Sequence, residues 1–323
     1  MRSSPARGPP VTDQEAIRTT GLAKTFDEVR AVDGVDLLVR KGEMFALVGP
    51  DGAGKTTTVR MLCGILTPTA GNATILGFDI AGDKKHVKQK IGYLSQRFSL
   101  YGDLSIDENI EFFAEVHGVS GFRDRREELL GFTRLTTFRD RLAERLSGGM
   151  KQKLALACTL IHTPELLFLD EPTTGVDPLS RRDFWVILHS LVSQGLTIFL
   201  TTPYLDEAER CSRVALMDHG RLLQTGTPDE LRDEMTGDVV EVVCNPVRLA
   251  SRVLRDAGGF LSVQTFGDRV NLVVHEAASE LKRAKDILKA SGVEVTGTRQ
   301  VKPGLENVFI SLLNRQEDHE VHS

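Results

Sequence analysis

A chain of 323 residues, 41% hydrophobic and 26% charged, has apolar content for a sizeable core. At about 100–200 residues per domain, its length fits one large domain plus a smaller one. The formal net charge of -5 argues against nucleic acid as the main partner. Cys63, Cys158, Cys211 and Cys244 lie far apart with no C-x-x-C spacing, which excludes a disulfide framework and a zinc site.

The opening MRSSPARGPP has no apolar core, so it is not a secretory signal, and residues 1–15 are expected as a disordered tail. Residues 16–48 alternate as strands do. From Gly49 helical and strand patterns take turns to about Thr225, which implies an α/β domain with a largely parallel sheet. Phe184 to Leu205 carries no formal charge over about the length of a spanning helix. His189, Ser190, Ser193, Gln194 and Gly195 interrupt it, so an amphipathic helix, a turn and a short buried strand are expected, with no transmembrane segment. TTPYLDEAER, residues 201–210, reads as a strand leaving for a helix, with Thr201 or Thr202 as cap and Pro203 at the first helical position.

Beyond Gly226-Thr227-Pro228 and a short helical stretch the pattern changes. A strand over 239–243, a helix over 247–257, strands over 261–266 and 269–274, a helix over 277–290 and a strand over 294–299 are expected. That β-α-β-β-α-β order matches a small ferredoxin-like α+β unit at 238–323, after a first domain at 16–237.

Three motifs in the first domain carry chemistry. Gly49-Pro50-Asp51-Gly52-Ala53-Gly54-Lys55-Thr56 fits G-x-x-x-x-G-K-S/T, after an apolar strand at Phe45–Val48 and before a helical pattern at Thr57–Leu62. Its glycines let backbone N–H groups turn into a nest at a helix N-terminus, a favourable place for polyphosphate. Lys55 would reach the terminal phosphates and Thr56 would ligate Mg²⁺. Leu166-Leu167-Phe168-Leu169-Asp170-Glu171 is a strand buried on both faces that ends in two carboxylates, where parallel sheets bind ligands. Asp170 suits the Mg²⁺ shell, and Glu171 suits a base that polarises water. In Leu146-Ser147-Gly148-Gly149-Met150-Lys151-Gln152-Lys153, Ser147 can cap a helix running to about Ile161. Gly148 and Gly149 would allow a phosphate close to bare N–H groups, although a plain cap needs only one glycine.

Over residues 16–226 the chain resembles the nucleotide-binding subunit of an ATP-binding cassette (ABC) transporter. GPDGAGKTT looks like the Walker A motif, LLFLDE like Walker B and LSGGMKQK like the family signature. The resemblance implies a P-loop NTPase cassette: a mostly parallel sheet core, an antiparallel β subdomain and a helical subdomain at about 97–162. It implies ATP and Mg²⁺ as ligands. ATP would be held by Gly49 through Thr57 and, in the signature, by Ser147, Gly148, Gly149 and Gln152. Gln96, in YLSQ, matches the Q-loop residue that senses Mg²⁺ and the transporter, and Asp177, in GVDP, matches the D-loop. Phe26 occupies the place of the aromatic that stacks on adenine, usually tyrosine. Asp51 stands where asparagine is commoner.

In this family the signature and Walker A motifs sit in different subdomains, so two cassettes meet head to tail around two ATPs. One signature therefore implies a second cassette, as homodimer or heterodimer. A separate integral membrane permease is implied, with this chain at the cytoplasmic face of the membrane. Residues 97–145, with Phe98, Leu100, Tyr101 and the apolar-periodic Ile106–Val116, correspond to the region that receives the permease, though an ordinary core stripe explains many of the same residues. Pro303-Gly304-Leu305-Glu306-Asn307-Val308-Phe309 is similar to a closing motif of appended domains on multidrug and antibiotic-resistance exporters.

One position departs from the pattern. Most of the family places a histidine that contacts the γ-phosphate where this chain has Pro203. Slow hydrolysis is expected unless Tyr204 or a water substitutes. The reading is an ATP-hydrolysing exporter subunit. The alternatives are a soluble non-transport cassette protein and a slow or non-hydrolytic nucleotide switch.

Overall fold

The computed structural model describes residues 14–96 and 100–321, with side chains through Asn314 in the last helix. Most of the expected N-terminal tail, and Phe98, lie outside the described residues. Two compact units divide between Thr225 and Gly226.

The first unit holds two sheets. One has the order β2-β1-β5-β6, with β1 (Glu15–Phe26) also pairing β3 (Leu38–Arg40), and includes β2 (Val29–Val35), β5 (Ala70–Ile75) and β6 (Phe78–Asp79). Its pairings are antiparallel. The first strand thus begins at Glu15, inside the segment expected as tail. The other sheet has six strands in the order β11-β10-β4-β9-β8-β7, formed by β4 (Met44–Val48), β7 (Ile91–Leu94), β8 (Leu166–Asp170), β9 (Thr197–Thr202), β10 (Arg213–Asp218) and β11 (Arg221–Gly226). From β10 to β7 every pairing is parallel. β4, β8 and β9 are buried at every residue, as expected of parallel strands covered on both faces. Helix α1 (Lys55–Leu62) contacts β2 of one sheet and β8 and β9 of the other. Its Val59, Met61 and Leu62 join a single core with Ile17, Val39 and Ile75 and with Phe45, Phe168 and Phe199. This sandwich holds the start of α1 rigidly beside the ends of β4 and β8.

α2 (Lys84–Lys90) leads into β7. The chain then leaves the sheets for α3 (Ile106–Val116), α4 (Arg123–Thr133) and α5 (Gly148–Leu160), which pack against one another. α3 starts with a capping box in which Ser105 and Glu108 satisfy each other's N–H groups. Ile106, Ile110 and Ala114 are fully buried, so this stripe is core, while Tyr101 and Val116 stay exposed. Within the region expected to receive the permease, this stripe therefore faces the core, while Tyr101 and Val116 face outward.

α6 (Pro178–Ser193) connects β8 to β9, and α7 (Leu205–Ala208) follows β9. Here a local expectation fails. Thr201 and Thr202 are the last residues of β9, and the helix begins at Leu205, after Pro203. The Thr202 hydroxyl is drawn to Glu207 instead of capping a helix that starts at Pro203.

The second unit contains α8 (Pro228–Asp233), β12 (Asp238–Asn245), α9 (Val247–Ala257), β13 (Ser262–Phe266), β14 (Arg269–Val274), α10 (Ala277–Ala290), β15 (Glu294–Val301) and α11 (Leu305–Val321). Its sheet runs β13-β14-β12-β15, every pairing antiparallel. α9 and α10 pack together on it over Val240, Val242, Leu254, Val270, Leu272, Ala284 and Leu288. The division falls twelve residues before the expected boundary at 237/238. The reason is α8, which packs against α11 and so belongs with the second unit.

Candidate functional site

The loop between β4 and α1 is shaped by glycines with different reasons for being glycine. A Cβ at Gly49 would lie 2.1 Å from the Met217 carbonyl oxygen of β10, so the backbone itself passes too close for a side chain. Gly54, at φ 102°, caps α1, and a Cβ there would lie 2.3 Å from the Ala31 oxygen. Gly52 has open space but φ 83°, which only glycine adopts freely. Lys55 follows, with its side chain 3% exposed. Its Nζ donates to the Gly49 and Pro50 carbonyls at 2.8 and 2.9 Å and lies 3.3 Å from Glu171 Oε1.

β8 delivers the carboxylates. Asp170 is 1% exposed and is the meeting point of three hydroxyls. Thr56 Oγ1 donates to its Oδ1 at 3.0 Å and Thr201 Oγ1 at 2.7 Å, while the Tyr93 hydroxyl lies 3.4 Å from Oδ2. Burial, and then the Asp170 charge, push the Tyr93 phenol up to about 12, so it stays a proton donor. Glu171 sits just past the strand at φ 49°, an uncommon left-handed geometry for this residue type. Its N–H is held by Thr201, and Oε2 accepts from Gln96 Nε2 at 3.0 Å. The strand thus buries one carboxylate completely and turns the next one toward Lys55.

These groups line one cleft of about 390 Å³, formed by Asp51, Gly52, Gly54, Lys55, Thr56 and Thr57 with Gln96 and Glu171. Ala31, Thr174, Pro203 and Tyr204 complete the wall, and no histidine is among these lining residues. Ala31, Thr174 and the Asp170 partners Thr201 and Tyr93 were not legible as site residues. Tyr93 and Thr201 lie in the YLSQ and TTPYLDEAER stretches, but their place around Asp170 depends on separate strands meeting in the sheet.

Other expected residues stand apart from this cleft in their own chain. Ser147 caps α5 by accepting from the Met150 N–H at 3.3 Å. A Cβ at Gly149 would lie 2.2 Å from Ser180 Oγ, so this glycine makes room for the start of α6. Gly148 faces open space, and Gln152 follows on the same helix. Asp177 caps α6 through Ser180, whose backbone N–H holds the carboxyl below its ordinary range. Phe26 is 45% exposed, with Lys24 Nζ 5.1 Å from its ring centroid. None of Phe26, Ser147, Gly148, Gly149, Gln152 and Asp177 lines the Lys55 cleft.

A glycine loop that closes on a buried lysine at a helix start, beside two carboxylates ending a parallel strand, defines a P-loop nucleotide-binding cassette. The comparisons with known proteins agree. Residues 32–174 match the family model described as ABC transporter, and residues 226–313 match the ATP-binding protein DrrA1-3-like C-terminal domain. The chain is 36% identical over 309 residues to the daunorubicin/doxorubicin resistance ATP-binding protein DrrA of Streptomyces peucetius, covering 94% of each chain. It therefore belongs to the ABC transporter family. It is also 43% identical over 228 residues to the probable multidrug ABC transporter ATP-binding protein YbhF of Escherichia coli, covering 70% of this chain and 39% of that one. The chain thus spans well under half the length of that relative. A solved structure described as the ATP-binding subunit of an ABC transporter superposes with a TM-score of 0.62 at 29% identity, covering 68% of this chain and 92% of the other. Among the described residues no helix is long and apolar enough to cross a membrane.

Proposed function

We propose that this chain is the ATP-binding and ATP-hydrolysing subunit of an exporter, driving a separate membrane permease by ATP-dependent closure of two cassettes. The observation that carries it is the convergence of Lys55, Thr56 and Glu171 on one cleft, with buried Asp170 hydrogen-bonded to Thr56 behind it. Lys55 offsets phosphate charge, Glu171 takes a proton from the attacking water, and Gln96 holds Glu171 from the other side. The Thr56 hydroxyl and the Asp170 carboxylate are adjacent hard oxygen donors, which fits Mg²⁺, an ion usually held by one or two protein ligands plus phosphates and water. The ion supplies charge neutralisation on the phosphates. Ser147, Gly148, Gly149, Gln152 and Asp177 stand away from their own chain's cleft, which supports a second cassette bringing its signature to it. Phe26, exposed at the end of β1, is available to stack on the base.

The relatives' names, drug resistance and multidrug transport, support export of a small molecule from a position at the cytoplasmic face of the membrane. Neither a soluble non-transport cassette nor a non-hydrolytic switch draws support from them. The test is steady-state phosphate release with Mg-ATP, together with co-purification of a membrane subunit. Lys55→Ala should weaken ATP binding by at least about tenfold, because a charge-assisted hydrogen bond is worth about 1.5–3 kcal/mol. An unchanged affinity would refute the site.

A further inference from the structure

The turn between β9 and α7 places two residues on the cleft, Pro203 and Tyr204. Proline has no N–H to offer a ligand. The Tyr204 N–H is already given to Thr202 Oγ1 at 3.0 Å, and that buried hydroxyl donates onward to Glu207 Oε2 at 2.7 Å. The Tyr204 phenol is therefore the donor these two residues present, and among the described residues its hydroxyl makes no hydrogen bond.

The tyrosine ring is also held in place. The Arg181 guanidinium carbon lies 4.7 Å from the ring centroid, a cation–π distance. Arg181 in turn forms an ion pair with Glu207, whose Oε1 is 3.5 Å from Arg181 Nε without a hydrogen bond between them. Glu207 is only 1% exposed and accepts from the hydroxyls of both Thr173 and Thr202. A buried carboxylate thus sits beside a cation, and the cation sits over the ring of Tyr204, a residue of the cleft that holds Lys55 and Glu171.

We propose that the Tyr204 hydroxyl donates to the γ-phosphoryl oxygens in this cleft, whose lining residues include no histidine, with Arg181 and Glu207 as positioning residues. This rests on the reading of the cleft as an ATP-hydrolysing site. In the step served, a water oxygen bonds to the γ-phosphorus while the bond from that phosphorus to the bridging oxygen breaks. ADP leaves with the electron pair. Glu171 takes the water proton, which passes to the phosphate product. Tyr204 gives up no proton; its O–H dipole stabilises charge on the transferring group in a preorganised geometry.

The experiment is phosphate release by the full chain with Mg-ATP, alongside ATP affinity from a nucleotide titration. Tyr204→Phe keeps the ring and its stacking on Arg181 but removes the donor. Its kcat should fall about 10²–10³-fold, the range for loss of one preorganised donor, with ATP affinity unchanged. Arg181→Ala should lower kcat without lowering affinity, and its effect should vanish in the Tyr204→Phe background. A Tyr204→Phe protein as fast as the parent overturns the proposal. Additive losses from the two substitutions overturn the positioning role of Arg181. A parent no faster than Glu171→Gln instead overturns the ATPase reading on which the proposal stands.

Discussion

The Lys55 ammonium lies 3.3 Å from Glu171 Oε1, and the two side chains are only 3% and 9% exposed. The proposed phosphate-binding cation and the proposed base therefore compensate each other within one nearly enclosed pair. Glu171→Gln keeps the shape and can still accept from Gln96, but it cannot take a proton. Turnover should fall by about 10²–10⁴-fold, the usual contribution of a general base, while ATP affinity persists. With Mg-ATP the variant should elute as a stable pair of cassettes in gel filtration. A monomer with parental turnover would rule out the assignment.

The two signature glycines should respond differently to alanine. Gly149→Ala drives a Cβ to 2.2 Å from Ser180 Oγ and 2.3 Å from Ser180 Cβ, so α5 and the start of α6 must separate. Overpacking of this kind costs about 1–3 kcal/mol. Gly148→Ala meets open space and should change stability by less than about 0.5 kcal/mol. Thermal unfolding of both variants measures the contrast, and equal midpoints would contradict it.

Stability should fall on mild acidification through a histidine pair. The rings of His117 and His162 stack with centroids 4.1 Å apart. Burial pulls both below the ordinary histidine range, and His162 further lowers His117. His162 Nε2 lies 2.9 Å from the Ile91 carbonyl, which fits a neutral ring donating from that nitrogen. The unfolded chain then binds protons more readily than the folded one. This contribution is therefore complete above about pH 6.5 and is lost as pH falls through the folded values. The unfolding midpoint should drop as pH falls below about 6.5, and His162→Phe should show a shallower drop. A parallel pH dependence in the variant would exclude the pair as its source.

The position of the domain division can be tested with fragments. A chain ending at Thr225 should fold and bind ATP, since all residues lining the cleft precede that point. A fragment starting at Gly226 should be more stable than one starting at Asp238, because only the first keeps α8 packed against α11 with Leu231 buried at 1% exposure. Fully burying a leucine is worth about 1.5–3 kcal/mol, which sets the expected difference. Equal unfolding midpoints for the two fragments would return the boundary to 237/238.

What the sequence determined by itself is local chemistry and local periodicity. Lys55 and Thr56 were legible because a strand, a glycine turn and a helix start are written in consecutive residues, and Asp170 and Glu171 because they end a short apolar strand. The helices at 247–257 and 277–290 match α9 and α10 for the same reason. Tertiary structure decided whatever depends on residues distant in the chain. Ser180 explains Gly149, and Met217 and Ala31 explain Gly49 and Gly54, across separations that no motif spans. Glu207 draws Thr202 away from a capping role, so the helix starts at Leu205 and Tyr204 is left facing the cleft. α11 claims α8 for the second unit. Propensity acts along a few neighbouring residues, whereas close approach, burial and charge pairing exist only once the chain has folded back on itself.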